Sequence, residues 1–81
     1  MHNETELVSE ITTQVASQMT SYRAEQNMTQ GDLATAITLA GYPSRQSLVS
    51  RTESGRREIS LAEACALAQV LGVTLSELII Q

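Results

Sequence analysis

The sequence predicts an all-α fold: five helices in one small domain, with an extended first helix. Three observations predict it. Apolar residues recur at helical spacing, and no stretch sustains the two-residue alternation of a half-buried strand. Two tyrosines are the whole aromatic content, too few for a sheet core. Glycines and capping residues fall at the joints between the periodic segments.

The first helix is predicted over about residues 4–26. Leu7, Ile11, Val15 and Met19 recur every four residues, and Val8 and Tyr22 widen the stripe. Acids at its start suit the positive end of the helix dipole. Asn27 and Met28 break the pattern. Thr29 is placed to cap a second helix over about 30–40, with Asp32 in its first turn. That helix is expected to bury Leu33, Ala34, Ile37 and one of Leu39 and Ala40, and to stop at Gly41. Tyr42-Pro43-Ser44 reads as a turn, because proline forces the residue before it into extended geometry. Ser44 is expected to cap a third helix over about 45–54, closed by Gly55.

Ser60-Leu61-Ala62-Glu63 has the form of a capping box and opens a fourth helix that runs to Leu71. Leu61, Ala64, Cys65, Ala68 and Leu71 are its expected inward residues, and Gly72 stops it. Thr74-Leu75-Ser76-Glu77 repeats the capping pattern and opens a short last helix carrying Leu75, Leu78 and Ile79. The chain is read as a single domain over 1–81, residues 1–14 being an extension of the first helix and 15–80 the core. At 81 residues it buries a small core and leaves no room for a separate sensor domain.

The lone Cys65 cannot form an internal disulfide and is expected as a buried core thiol. The acidic N-terminus lacks the basic start of a secretory signal, and no apolar run approaches the roughly 18 residues of a membrane span. These features point to the cytoplasm. Enzyme readings lack their parts: no histidine partners the cysteine, no paired carboxylates sit in a pocket-forming context, and no glycine loop cradles a phosphate. No cofactor, metal or small-molecule ligand is indicated.

A net charge of −4 argues at first against a nucleic-acid partner, but the distribution reverses this. There are no lysines. Of the five arginines, Arg45, Arg51, Arg56 and Arg57 fall close together, and only Glu53 opposes them in that stretch. The remaining acids lie mostly elsewhere, so one face is locally positive on an acidic body.

The ordered motifs are more specific. Arg23 is followed by Met28-Thr29-Gln30-x-x-Leu33-Ala34, then Val49-x-x-x-Glu53-x-Gly55-Arg56-Arg57. After these come Ile59-Ser60-Leu61 and Leu67-Ala68-x-x-Leu71-Gly72-Val73-Thr74-Leu75-Ser76-Glu77-Leu78. With this set, the segment from Tyr22 to Ile80 resembles the phage repressor and Cro-type helix-turn-helix (XRE) family. The resemblance implies a lambda-repressor-like domain whose second and third helices form the helix-turn-helix, the third entering the DNA major groove.

By that resemblance Gln46, Ser47 and Arg51 read base edges, Gln suiting adenine and Arg suiting guanine. Gln30, Ser44, Arg45, Ser50, Arg56 and Arg57 take phosphates, and Arg23 and Glu53 form an interior ion pair. The chain departs from the pattern in a longer second helix and turn, in Thr52 where a larger aliphatic residue is usual, and in the early start of the first helix. The resulting expectation is a sequence-specific transcriptional regulator, a repressor in preference to an activator. The partner is double-stranded DNA, with a two-fold symmetric operator read by a homodimer. Dimer contacts are assigned to Leu7, Val8, Ile11, Leu75, Ile79 and Ile80. The alternative is an antitoxin or bridging module on the same fold whose main contacts are to protein.

Overall fold

The computed structural model describes residues 4–79, with side chains from Leu7 onward. Ile80, one of the expected dimer residues, lies outside the described residues. Five helices follow one another: α1 (Glu4–Glu25), α2 (Gln30–Leu39), α3 (Gln46–Glu53), α4 (Leu61–Leu71) and α5 (Leu75–Ile79). Among the described residues there is no strand. At about 1.5 Å per residue, the 22 residues of α1 account for most of the 38 Å long axis.

The core is where the apolar stripes converge. Met19 of α1, Leu33 and Ile37 of α2, Leu67 of α4 and Leu78 of α5 are almost wholly buried, joined by Val15, Val49 and Leu71. α1 packs against α3, α4 and α5, while α2 lies on α3 and α4. The second half of α1 is therefore a core helix. Its first half projects: Leu7, Val8 and Ile11 are 51, 41 and 39% exposed.

The joints are set by backbone chemistry. α1 ends with Asn27 in the left-handed region at φ 57, and the Met28 N–H turns back to the Arg23 carbonyl at 3.2 Å. Thr29 caps α2 fully: its Oγ1 accepts from the Asp32 N–H, and the Asp32 carboxylate accepts from the Thr29 N–H, each at 3.0 Å. Gly55 at φ 76 lets the Arg56 N–H reach the Arg51 carbonyl and close α3. Thr74 and Glu77 form the second complete capping box, at the start of α5.

Several expectations need correction. Ser44 does not cap α3. The N-cap residue is Arg45, which makes no side-chain cap bond. The reason lies in the turn: Thr38 Oγ1 accepts from the Ser44 N–H at 3.0 Å and also lies 3.1 Å from its carbonyl. This holds Ser44 in the extended segment and moves the helix start one residue on. The Ser44 hydroxyl is buried without a partner.

On α4, Cys65 is exposed, not a core thiol, and Leu61 is 70% exposed. Ala64, Ala68 and Leu71 are buried as expected, and Glu63, Ala66 and Leu67 complete the buried face. Each helical residue turns by about 100°, so centring the face near Leu67 carries Cys65 to the opposite side. The capping pattern here is half made: Ser60 Oγ accepts from the Glu63 N–H at 3.1 Å, but the Glu63 carboxylate is engaged elsewhere. On α2, neither Leu39 nor Ala40 is buried, because Ile37 already completes the inward face. Leu39 is 83% exposed.

Candidate nucleic-acid interface

α3 has two unlike faces. Val49 and Thr52 are buried at 2 and 3% exposure, and Leu48 is half-buried. Gln46, Ser47, Ser50 and Arg51 are all exposed, so the outward face carries only polar and cationic side chains. Arg45 Nε donates to Ser47 Oγ at 3.1 Å, linking the residue before the helix to its first turn. Thr52, where a larger aliphatic residue was anticipated, is satisfied internally: its hydroxyl donates to the Leu48 carbonyl at 2.8 Å.

Two ion pairs hold this helix from behind. Arg23 Nε donates to Glu53 Oε2 at 2.6 Å and Arg23 Nη2 to Glu53 Oε1 at 3.0 Å, a bidentate fork. Arg23 Nη1 also donates to the Met28 carbonyl at 2.8 Å. Hydrogen bonding to Glu53 raises the Arg23 pKa above its ordinary value. Gln30 Nε2 donates to Glu53 Oε1 at 3.0 Å, so Glu53 ties α1, the start of α2 and the end of α3 to one carboxylate.

The second pair is Arg57 with Glu63, two bonds of 2.8 Å, with Arg57 Nη1 also donating to Thr52 Oγ1 at 3.0 Å. Both side chains are largely shielded, at 21 and 7% exposure. Hydrogen bonding to Glu63 raises the Arg57 pKa. This separates two residues that the sequence suggested were alike. Arg56 is exposed in the segment that follows α3, whereas Arg57 is anchored inward to α4.

With the buried and exposed faces of α2 and α3 in place, the family comparison is decisive. A family model described as HTH_3, helix-turn-helix, matches residues 20–78, well over half of the chain. The chain belongs to this helix-turn-helix family. No curated protein and no solved structure matches it. HTH_3 members are DNA-binding regulators, and the family match covers α2 and α3 together with the helices that support them.

Within this helix-turn-helix domain the sequence motifs located the elements of the site, but several supporting side chains were missed. Glu63 is a capping residue by its spacing from Ser60, but its carboxylate meets Arg57, a role set by the helical register that buries Leu67. Gln26 Nε2 caps the Leu71 carbonyl at 2.7 Å, and Gln18 Nε2 reaches the Glu77 carbonyl at 3.3 Å. Neither long-range bond has a sequence signal. Among the described residues, no group of three or more His, Cys, Asp or Glu is placed to hold a metal, and no helix is long and apolar enough to cross a membrane.

Proposed function

We propose that the protein is a sequence-specific transcriptional regulator, a repressor in preference to an activator, that reads the major groove with α3. The observation that carries this reading is the wholly polar outward face of α3, held by two ion pairs behind it. Gln46 and Arg51 supply paired donors of the kind that discriminate adenine and guanine, and Ser47 adds a small adaptable group. Arg45, Ser50 and Arg56 flank them and take phosphates. Gln30 contributes from the N-terminus of α2, where the first helical N–H groups lack intrahelical acceptors. Its side chain is bonded to Glu53 in the free protein, so its backbone N–H is the group offered. Arg57 and Ser44 serve the fold in this reading: the first is paired to Glu63, and the second has its hydroxyl shielded.

One helix-turn-helix reads only a few base pairs, and a second copy reading a symmetric half-site supplies the rest. The exposed apolar start of α1 favours such a homodimer. Leu7, Val8 and Ile11 lie on a helix segment that leaves the core, with the half-buried Leu75 and Ile79 of α5 as the second candidate contact. The polar α3 face disfavours the antitoxin or bridging alternative, which would present apolar residues there to a protein partner.

Selection of bound duplexes from random DNA tests the reading. A two-fold symmetric motif, bound more weakly as salt rises, is the expected result. Recovery of no preferred sequence, with salt-independent retention of a protein partner instead, sinks it.

A further inference from the structure

Of the large apolar side chains described, Leu39 is the most exposed, at 83%. It stands on the last turn of α2. A shallow groove runs between the two helices of the helix-turn-helix. Thr35, Thr38 and Leu39 line one side, and Ser44, Arg45 and Gln46 line the other. Leu39 thus shares a groove with the residues that open α3, and nothing in the fold needs it there: the inward face of α2 is complete with Leu33, Ala34 and Ile37.

We infer that Leu39 is a specificity-determining residue that packs against the C5-methyl group of a thymine beside the base read by Gln46. The inference rests on the DNA-binding reading above and deepens it. The chemistry of the groove selects the occupant. Gly31 and the buried Ala34 also line the groove, so Leu39 is its one large exposed apolar side chain, and it makes no apolar patch of the size a protein partner needs. The major groove edge of a thymine offers the matching mixture, one methyl next to a hydrogen-bond acceptor, with phosphates at its rim. Arg45, at the same groove, brings the positive charge that the DNA backbone requires. Leu39 therefore adds a hydrophobic reader to a surface otherwise built of polar and cationic side chains.

The test uses the full chain and the operator recovered by selection, with each thymine replaced in turn by deoxyuridine, which removes the methyl and nothing else. Binding is measured by fluorescence anisotropy for wild type, Leu39→Ala and Leu39→Met. At one thymine per half-site, deoxyuridine weakens wild-type binding by about fourfold, the worth of one buried methylene-sized group. Leu39→Ala loses a similar factor on the unmodified operator and loses no more at that uracil, while Leu39→Met keeps the methyl sensitivity. Because Leu39 is exposed, Leu39→Ala retains the wild-type thermal midpoint.

Equal uracil penalties in wild type and Leu39→Ala overturn the inference, as does an operator with no thymine next to the Gln46 contact. Both outcomes leave the DNA-binding reading standing. Failure of the wild-type chain to select any DNA overturns the two together.

Discussion

Arg57 donates to both carboxylate oxygens of Glu63 at 2.8 Å, although they lie six positions apart in the chain with a helix start between them. The pair pins the segment after α3 to α4 and leaves the neighbouring Arg56 as the exposed cation. The two arginines therefore differ in what their removal does. Arg56→Ala flattens the dependence of log K on log salt by about 0.9, one phosphate contact, without changing stability. Arg57→Ala strands the buried Glu63 and lowers stability by about 3–5 kcal/mol. Salt-titrated anisotropy and urea unfolding of both variants check this. An Arg57→Ala protein as stable as wild type would remove the structural role.

The proposed base readout uses the outward face of α3. Gln46→Ala and Arg51→Ala each weaken binding to the preferred operator by about 1–3 kcal/mol and relax preference at one base pair per half-site. Competition among single-base operator variants measures it. If both substitutions leave the preference intact, α3 sits in a different register on DNA.

The Arg23–Glu53 fork predicts strong coupling. Glu53 is 6% exposed and Arg23 17%, so truncating either one to alanine leaves a shielded charge unmatched and costs about 3–5 kcal/mol. The double variant costs less than the sum of the single ones, by about 0.5–3 kcal/mol in a cycle. A coupling near zero would show that the two charges are individually solvated.

Asp32 carries a pH dependence. Hydrogen bonds from the Thr29 backbone hold its pKa below the ordinary 3.8. A carboxylate whose folded pKa is depressed contributes stability above its unfolded value, and that contribution is lost as pH falls through the folded value. The urea midpoint of wild type should therefore exceed that of Asp32→Asn at neutral pH, with the gap closing at pH values below 3.8. A gap that persists unchanged in acid would assign the effect to something other than this carboxylate.

The proposed homodimer uses the start of α1. Replacing Leu7, Val8 and Ile11 together by serine raises the dimer dissociation constant without unfolding the domain, since all three are exposed. Sedimentation of both proteins, alone and on operator, decides it. A wild-type chain that stays monomeric at high concentration and binds as one copy per site refutes the dimer.

Local chemistry was legible from the sequence alone. Thr29, Ser60 and Thr74 each accept from the N–H three residues on, and Gly55 and Gly72 end their helices in the left-handed region. These interactions span at most a few residues, so spacing locates them, and it fails only where a neighbouring group competes, as Thr38 does for Ser44 and Arg57 for the Glu63 carboxylate. The four-residue recurrence through Val15 and Met19 likewise located the core half of α1.

What only the tertiary structure decided is which way each helix faces and which charge meets which. On α4 several small apolar residues compete for the inward face, and periodicity cannot rank them. Packing against α1, α2 and α5 selects Leu67 and Ala64 and turns Cys65 out. Arg56 and Arg57 are the same residue to any local rule, and only the approach of α4 pairs one and leaves the other exposed. Leu39 shows the same limit in reverse. Its apolarity marked it as possible core, yet the neighbours that would bury it are already spoken for by Ile37, and it is left at the edge of the candidate DNA-reading face. Burial depends on the surfaces that surrounding helices present in space, and those lie far away in sequence.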